Sequence, residues 1–351
     1  MRFFPDHCKE VSIDTRSWIR IISWYRHHAP TLCPTGVALS LEAQSAAAPF
    51  TVVLVNWRNE NPTPRCVRLV KSWKGLQPQL IVVDNEATPE SAARLANELN
   101  PYQLVTSPLN RGYGAGNNLA IQRSIDSSKN HVLLLNSDVV ITEAAMRQLL
   151  GRLDAYPEVS ILGPTIRESD GNMTRLVLGG QDLAVHALRR HALGRSRAST
   201  ADSLIAGPSL LDVDYVPGTV FLARSCVFQD VGLLDERYFF GGEIADFCRR
   251  ARDRGYRAYI DLEAEARHDL TRADRLRETL YTYYSLRNRF LYVRKHYKSQ
   301  KLIYFILWSV RAARAFAGAL LRLRFARARA ILLALAHGLS NRFGNQNAKF
   351  V

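Results

Sequence analysis

The sequence predicts an α/β protein built on a doubly wound, mostly parallel sheet flanked by helices, and three observations carry that prediction. Continuous β-branched runs recur from residue 50, the pattern of strands buried on both faces. Helical segments separate them, giving the order βαβαβαβα. Asn56, Asp84, Asn85, Asn136 and Asp138 stand at or just past the carboxyl ends of the strands, where such sheets bind ligands.

Element by element, FTVVLVN (50–56) is the first strand and 65–74 the first helix. LIVVD (80–84) is the second strand, followed by a helix over 89–99 and a third strand over 102–106. A helix over 116–126, a strand over 131–136 (HVLLLN) and a helix over 143–156 complete the first half. Further on, 215–223 (YVPGTVFLA) predicts a strand with a glycine at a close approach. Within 231–254 an amphipathic helix opens beside acids and aromatics, and 257–260 is a strand. The stretch 179–212 is polar and cationic without a period. It reads either as a loop closing over a ligand or as a solvated insertion.

Residues 1–48 read as an appendage and linker: charges interrupt every apolar run, so neither a signal-peptide core nor a membrane span is expected there. Five scattered cysteines without CxxC spacing suggest neither a zinc cluster nor a disulfide framework, which fits a reducing compartment. Charge is concentrated at the other end. Residues 279–351 hold ten Arg, four Lys and no Asp or Glu, so +14 of the total +15 lies there and +1 remains for the rest. A basic tail on a near-neutral body predicts an anionic partner for the tail. Its apolar stretches, 302–310 and 315–321, are each too short to cross a bilayer, and an interfacial helix on anionic lipid is expected, with a helical hairpin packed on the body as the alternative.

Three segments carry chemistry. NRGYGAGNN (110–118) matches neither a P-loop nor a dinucleotide fingerprint, but a glycine-rich turn entering a helix brings backbone N–H groups to an anion, with Arg111 available to phosphate. NSD (136–138) leaves a buried strand. A carboxylate there can hold Mg²⁺ or Mn²⁺, which keep waters and need few protein oxygens; an Asx turn is the plain alternative. VVDN (82–85) ends the second strand.

In this order, VVDN, NRGYGAGNN and LLNSDVV (134–140) resemble the family 2 glycosyltransferases, particularly the bacterial rhamnosyltransferase-like branch, over about residues 50 to 270. The resemblance implies a GT-A domain over 49–275 and a basic helical extension over 276–351. It implies that Asp84 contacts the nucleotide and that Asp138 meets metal and ribose or diphosphate. Asn136 stands at the first position of a degenerate DxD-like motif. With Asn56, Asn110, Arg111, Gly112 and Asn117 these form the expected donor site. On the acceptor side Glu243 and Asp246 match the family pattern, while Ile244 stands where many members have a second acid, so Glu243 is the expected general base. Asp246 is the second catalytic candidate, with an ion pair to Arg249 or Arg250 as its structural alternative. His268 corresponds to a family histidine that completes the metal or diphosphate site. Arg249, Arg250, Arg287 and Asn288 are weaker candidates for diphosphate contact.

The activity so implied is inverting, Mg²⁺- or Mn²⁺-dependent transfer of a sugar from a nucleotide diphosphate donor to a glycan or lipid-linked saccharide. By resemblance, dTDP-rhamnose comes first and UDP-sugars next. The expected location is cytoplasmic, peripheral at the inner face of the plasma membrane, with residues 279–351 on an anionic membrane surface. A sugar nucleotidyltransferase would usually begin with a glycine-rich basic loop, where this chain has NWRNENPTP. A non-enzymatic basic binding protein would leave Asp84, Asp138 and Glu243 without a reason. Nucleic acid is not an expected partner, because no aromatic and basic sheet surface is evident.

Overall fold

A computed structural model describes residues 50–58, 62–100, 103–126, 131–169, 174–185, 209–269 and 275–350, all within one compact unit. The expected appendage at 1–48 and most of the expected loop at 179–212 lie outside the described residues.

The strands are β1 Phe50–Asn56, β2 Gln79–Asn85, β3 Leu104–Ser107, β4 His131–Leu135, β5 Val139–Ile141, β6 Val159–Ser169, β7 Thr174–Val177, β8 Leu210–Val213, β9 Val220–Arg224 and β10 Arg257–Asp269. The helices are α1 Pro62–Lys71, α2 Pro89–Ala96, α3 Gly112–Asp126, α4 Glu143–Ala155, α5 Ser225–Val231, α6 Glu243–Arg252, α7 Arg275–His296, α8 Lys301–Leu321 and α9 Phe325–Leu339. The order across the sheet is β3-β2-β1-β4-β9-β6-β10-β5. It is parallel through β3-β2-β1-β4 and between β6 and β10, and antiparallel where β9 meets β4 and β6. Alternate strand residues face opposite sides. Val52 and Leu54 pack with Met146, Leu149 and Leu153 of α4 on one face, and Val53 packs with Ile121 of α3, Phe228 of α5 and Phe247 of α6 on the other.

Several expectations are corrected. Helix α3 starts at Gly112 rather than 116, so the glycines form its first turn. The strand expected over 215–223 is confined to β9, because the chain first turns through Gly218. The apolar stretches 302–310 and 315–321 join into one helix, α8, long and apolar enough by length and composition to cross a membrane; no Gly or Pro interrupts Arg311–Arg314, so the helix propagates through them.

The C-terminal helices pack against one another and against the body. The buried Trp308 donates its indole N–H to the Ala184 carbonyl (3.0 Å). Ala312 and Ala319 of α8 meet Ala328 and Ile331 of α9. From α7, the fully buried Arg287 donates to the carbonyls of Tyr238 (2.8 Å) and Gly344 (2.7 Å).

Candidate active site

The carboxyl ends of β1 and β2 build the first part of the site. Asp84 is 1% exposed and accepts hydrogen bonds from Asn56 Nδ2 (2.8 Å) and Ser91 Oγ (2.5 Å). Asn56 is fixed in turn by Thr63 Oγ1 (2.7 Å). Parallel pairing of Asn56 with Asp84 puts both at the same level of the sheet. Above them opens a cleft whose walls include Arg58, Glu86, Ser91 and Arg94.

Asn85, the next residue, holds the glycine-rich turn. Its Oδ1 accepts from Arg111 N (2.9 Å) and its Nδ2 donates to the Gly112 carbonyl (3.1 Å). Asn110 Oδ1 accepts from Gly112 N (2.8 Å). Gly112 has φ +86°, and a Cβ there would lie 2.4 Å from the Phe239 carbonyl oxygen, so only glycine fits. Asn117 is buried and donates to the Tyr113 carbonyl within its own helix (2.8 Å). Arg111 points to Glu236 (3.7 Å), both about half exposed.

β4 and β10 supply the second part. Asn136 follows β4 with its N–H on the Thr219 carbonyl. In β10, His268 pairs across the sheet with Val139 of β5 and Glu168 of β6. Its Nδ1 lies 3.3 Å from Glu168 Oε1, and its Nε2 lies 3.3 Å from Asp138 Oδ1 without the alignment of a hydrogen bond. Arg277 of α7 approaches Asp138 Oδ2 at 3.6 Å. Burial pushes the Asp138 carboxyl up, but the His268 and Arg277 charges outweigh it and hold it below the usual range. Burial likewise opposes protonation of His268, and its two carboxylate neighbours override that and raise it to about 9. Among the described residues no cluster of three or more His, Cys, Asp or Glu forms a cage for a metal.

The third part is the turn before α6, which runs through positive φ: +64° at Phe239, a strained value for a side-chain-bearing residue, and +79° and +105° at Gly241 and Gly242, which glycine adopts freely. Gly242 caps the helix in the left-handed region, and a Cβ there would press on the Tyr238 ring. Glu243 opens α6 at 4% exposure, and its Oε2 has no hydrogen-bond partner. Burial raises its carboxyl to about 7, against two backbone hydrogen bonds that lower it. Asp246, one turn on, differs. It is fully buried, and Oδ1 receives His296 Nε2 (2.8 Å), Lys295 Nζ (2.6 Å) and the Tyr238 hydroxyl (3.2 Å), while Oδ2 receives Arg250 Nε (3.0 Å). Burial raises Asp246, but these partners dominate and hold it low.

The parts converge on Tyr113. Its N–H bonds the Phe239 carbonyl (2.7 Å), its hydroxyl bonds the Gly218 carbonyl (2.7 Å), and burial together with the charges of Glu243 and Asp138 pushes the phenol up. Sequence reasoning missed Arg277, Glu168 and Tyr113. Only the glycine neighbours of Tyr113 offered a signal; the other two reach Asp138 and His268 through tertiary packing. Arg287 and Asn288, expected near a diphosphate, are instead buried against backbone carbonyls of the 238–241 turn. Arg249 is committed to Asp182 and Asp253, and Arg250 to Asp246.

This fold, with Asp84 at a strand end lining a cleft, is that of the GT-A glycosyltransferases. It aligns with GalNAc-T7 in complex with UDP, GalNAc and Mn²⁺ (TM-score 0.53, 13% identity, 84% of this chain and 56% of that one). It also aligns with the mannosyltransferase PcManGT from Pyrobaculum calidifontis in complex with GDP-Man and Mn²⁺ (TM-score 0.52, 12% identity, 93% and 94%). Residues 51–195 match Glycosyl transferase family 2. Similar sequences include the low-salt glycan biosynthesis hexosyltransferase Agl10 of Haloferax volcanii, 26% identical over 69% of this chain and 74% of that one. Another is the N-acetylglucosaminyl-diphospho-decaprenol L-rhamnosyltransferase of Mycobacterium tuberculosis, 27% identical over 54% and 66%. Together these matches support a family 2 glycosyltransferase domain, similar to the rhamnosyltransferase-like kind, over residues 51–195.

Proposed function

We propose that the chain is an inverting hexosyltransferase that moves a sugar, rhamnose first, from a nucleotide diphosphate donor to a hydroxyl of a glycan or lipid-linked saccharide in cell-surface polysaccharide synthesis. The observation that carries this reading is Glu243, a buried carboxyl at the start of α6 with an orphaned oxygen and a pKa near neutrality. Similarity to a glycan-biosynthesis hexosyltransferase and to a decaprenol-linked rhamnosyltransferase supports the hexosyl and lipid-linked parts.

In this reading the nucleoside occupies the cleft over Asp84, which Asn56 and Ser91 orient. The turn of Asn110, Arg111 and Gly112, with the start of α3 held by Asn117, presents backbone N–H groups to the diphosphate. Asn136 shapes the turn that delivers Asp138. Asp138 and His268 would hold Mg²⁺ or Mn²⁺: His268 Nε2 lies 3.3 Å from Asp138 Oδ1, and the imidazole would give up its proton to offer that nitrogen. Held there, such a cation would supply positive charge toward the diphosphate. Glu243 accepts the acceptor hydroxyl's proton while that oxygen attacks the anomeric carbon. The bond to the diphosphate breaks on the opposite face, which inverts the centre. Asp246 acts as a positioning residue through Lys295, His296 and Arg250.

The catalytic unit, 49–275, works at the cytoplasmic face of the plasma membrane, with the basic extension, 276–351, toward anionic lipid. The +14 charge after residue 278 supports that placement. Thermal-shift screening of dTDP- and UDP-sugars with and without Mn²⁺ tests the donor reading, and a metal-dependent shift for one of them is expected. NMR of the product then tests inversion. No nucleotide response would remove the donor reading, and a retained anomeric configuration would remove the mechanism.

A further inference from the structure

Helix α8 carries its apolar stripe outward. Leu302, Ile303, Ile306, Leu307, Val310, Leu320 and Leu321 are 39 to 86% exposed. At ~100° per residue they fall in one arc that also holds Ala313, Arg314 and Ala317. The opposite arc holds Trp308, Ala312 and Ala319, all buried against the body and α9. The fold therefore fixes which side faces out, and that side is the greasier one. The turn after α8 continues it: Leu323 (φ +55°) and Phe325 are 73% and 65% exposed. Exposed Arg314 lies within the arc and exposed Arg322, Arg324, Arg327 and Arg329 follow it in the turn and the start of α9, and no acid occurs after residue 278.

We propose that α8 docks flat on a lipid bilayer containing anionic lipid, its outward stripe buried among the acyl chains and the Leu320–Phe325 turn inserted deepest. This rests on the membrane placement given under Proposed function and deepens it from charge attraction to insertion through a defined face. The helix, about 31 Å long at 1.5 Å per residue, is pinned at mid-length by Trp308 to Ala184. Its inner side is thus covered by protein, and the helix lies along the membrane rather than across it. A second copy on the same face is disfavoured by charge. A two-fold interface would set these arginines against one another with no acid in the tail to pair them, whereas anionic headgroups complement them while the stripe leaves water.

The test uses full-length protein with phosphatidylcholine vesicles, with and without phosphatidylglycerol, at low and high salt. Wild type should bind the anionic vesicles and retain a salt-resistant fraction. The Ile306→Asp/Leu321→Asp double variant, altered only at exposed positions, should partition about tenfold or more weakly, and Leu321→Trp should show fluorescence quenched by brominated lipid. If wild type binds but salt releases it fully, and the double variant behaves identically, insertion is refuted while the charge-based placement stands. No binding to anionic vesicles at low salt defeats both. A concentration-dependent dimer dispersed by Ile306→Asp would assign the face to a second copy and overturn the proposal.

Discussion

Glu243 and Asp246 lie one turn apart on α6, yet Oε2 of Glu243 has no partner while Asp246 is saturated by Lys295, His296, Arg250 and Tyr238. A base must have a lone pair free for the incoming proton, so the two carboxylates separate by role. Glu243→Gln should lower turnover by about 10²- to 10⁴-fold with donor affinity nearly unchanged. Asp246→Asn should instead lower stability, by about 3–5 kcal/mol where a buried ion pair loses a partner. A larger turnover loss in Asp246→Asn, at unchanged melting temperature and donor affinity, would reverse the assignment.

The raised Glu243 pKa sets a pH dependence with two readouts. As a base it must be ionised, so kcat/KM should climb with pH up to about 7 and level off above it. For stability the sign is opposite. The folded state holds the proton more tightly than the unfolded chain, whose ordinary value is 4.5, so this contribution is present below 4.5 and lost as pH rises through about 7. Glu243→Gln, which cannot ionise, should gain stability relative to wild type across that window, on the order of 3 kcal/mol. Parallel melting curves of the two proteins from pH 5 to 8 would contradict the assignment.

Asp138→Ala should remove metal-dependent nucleotide binding while the fold survives, because Asp138 sits at a strand end outside both core clusters. Calorimetric titration of nucleoside diphosphate with and without Mn²⁺ measures this. His268→Ala should weaken the Mn²⁺-dependent part without touching the metal-free part. Wild-type turnover persisting in EDTA would end the metal reading.

Asn288 reaches from α7 to the carbonyls of Tyr238 and Phe240 (both 3.0 Å) and Gly241 (2.5 Å), bracing the positive-φ turn that aims Glu243. Asn288→Ala should shift kcat more than donor affinity and flatten the pH profile near 7, since a loosened turn lets water reach the carboxyl. A stability loss with an unaltered pH profile would reduce Asn288 to a packing role.

How much was legible follows from what is local. The parallel half was readable because each strand is a continuous apolar run with its polar residue next to it; Asp84 and Asp138 stand out at such strand ends, whereas the roles expected of them and of Glu243 and His268 came from the family resemblance. Strands β6 to β8 escaped notice: β7 and β8 are short and half-exposed, and β6 runs into Arg167, Glu168 and Ser169, so apolar pattern alone does not mark them. Sequence set Glu243 ahead of Asp246 through the family pattern and offered the Arg250 pair that Asp246 makes, but its partners Lys295 and His296 come from α7, some fifty residues away, beyond any local pattern. The charge of the tail was plain, but the side that α8 buries is set by Trp308 meeting Ala184, which no local pattern encodes.

Reading the tail as a detachable anchor would predict that deleting residues 300–351 releases an active soluble enzyme. The structure argues the reverse. Deletion removes the buried Trp308 and the α9 side chains that cover Tyr283 and Tyr284. It also takes away the Gly344 carbonyl that receives Arg287 and the Asn347 side chain that accepts from the Tyr284 hydroxyl (2.8 Å). Arg287 would stay buried with a charge lacking part of its hydrogen bonding, a costly state, and the turn it shares with Asn288 leads into Glu243. The truncated chain should therefore be insoluble, or melt far below the full-length protein and fail to glycosylate a soluble acceptor. Leu321→Asp in the full chain, which leaves these contacts intact, should keep soluble-acceptor activity. A truncated protein that folds, melts normally and turns over a soluble acceptor would show the last two helices to be dispensable to the site.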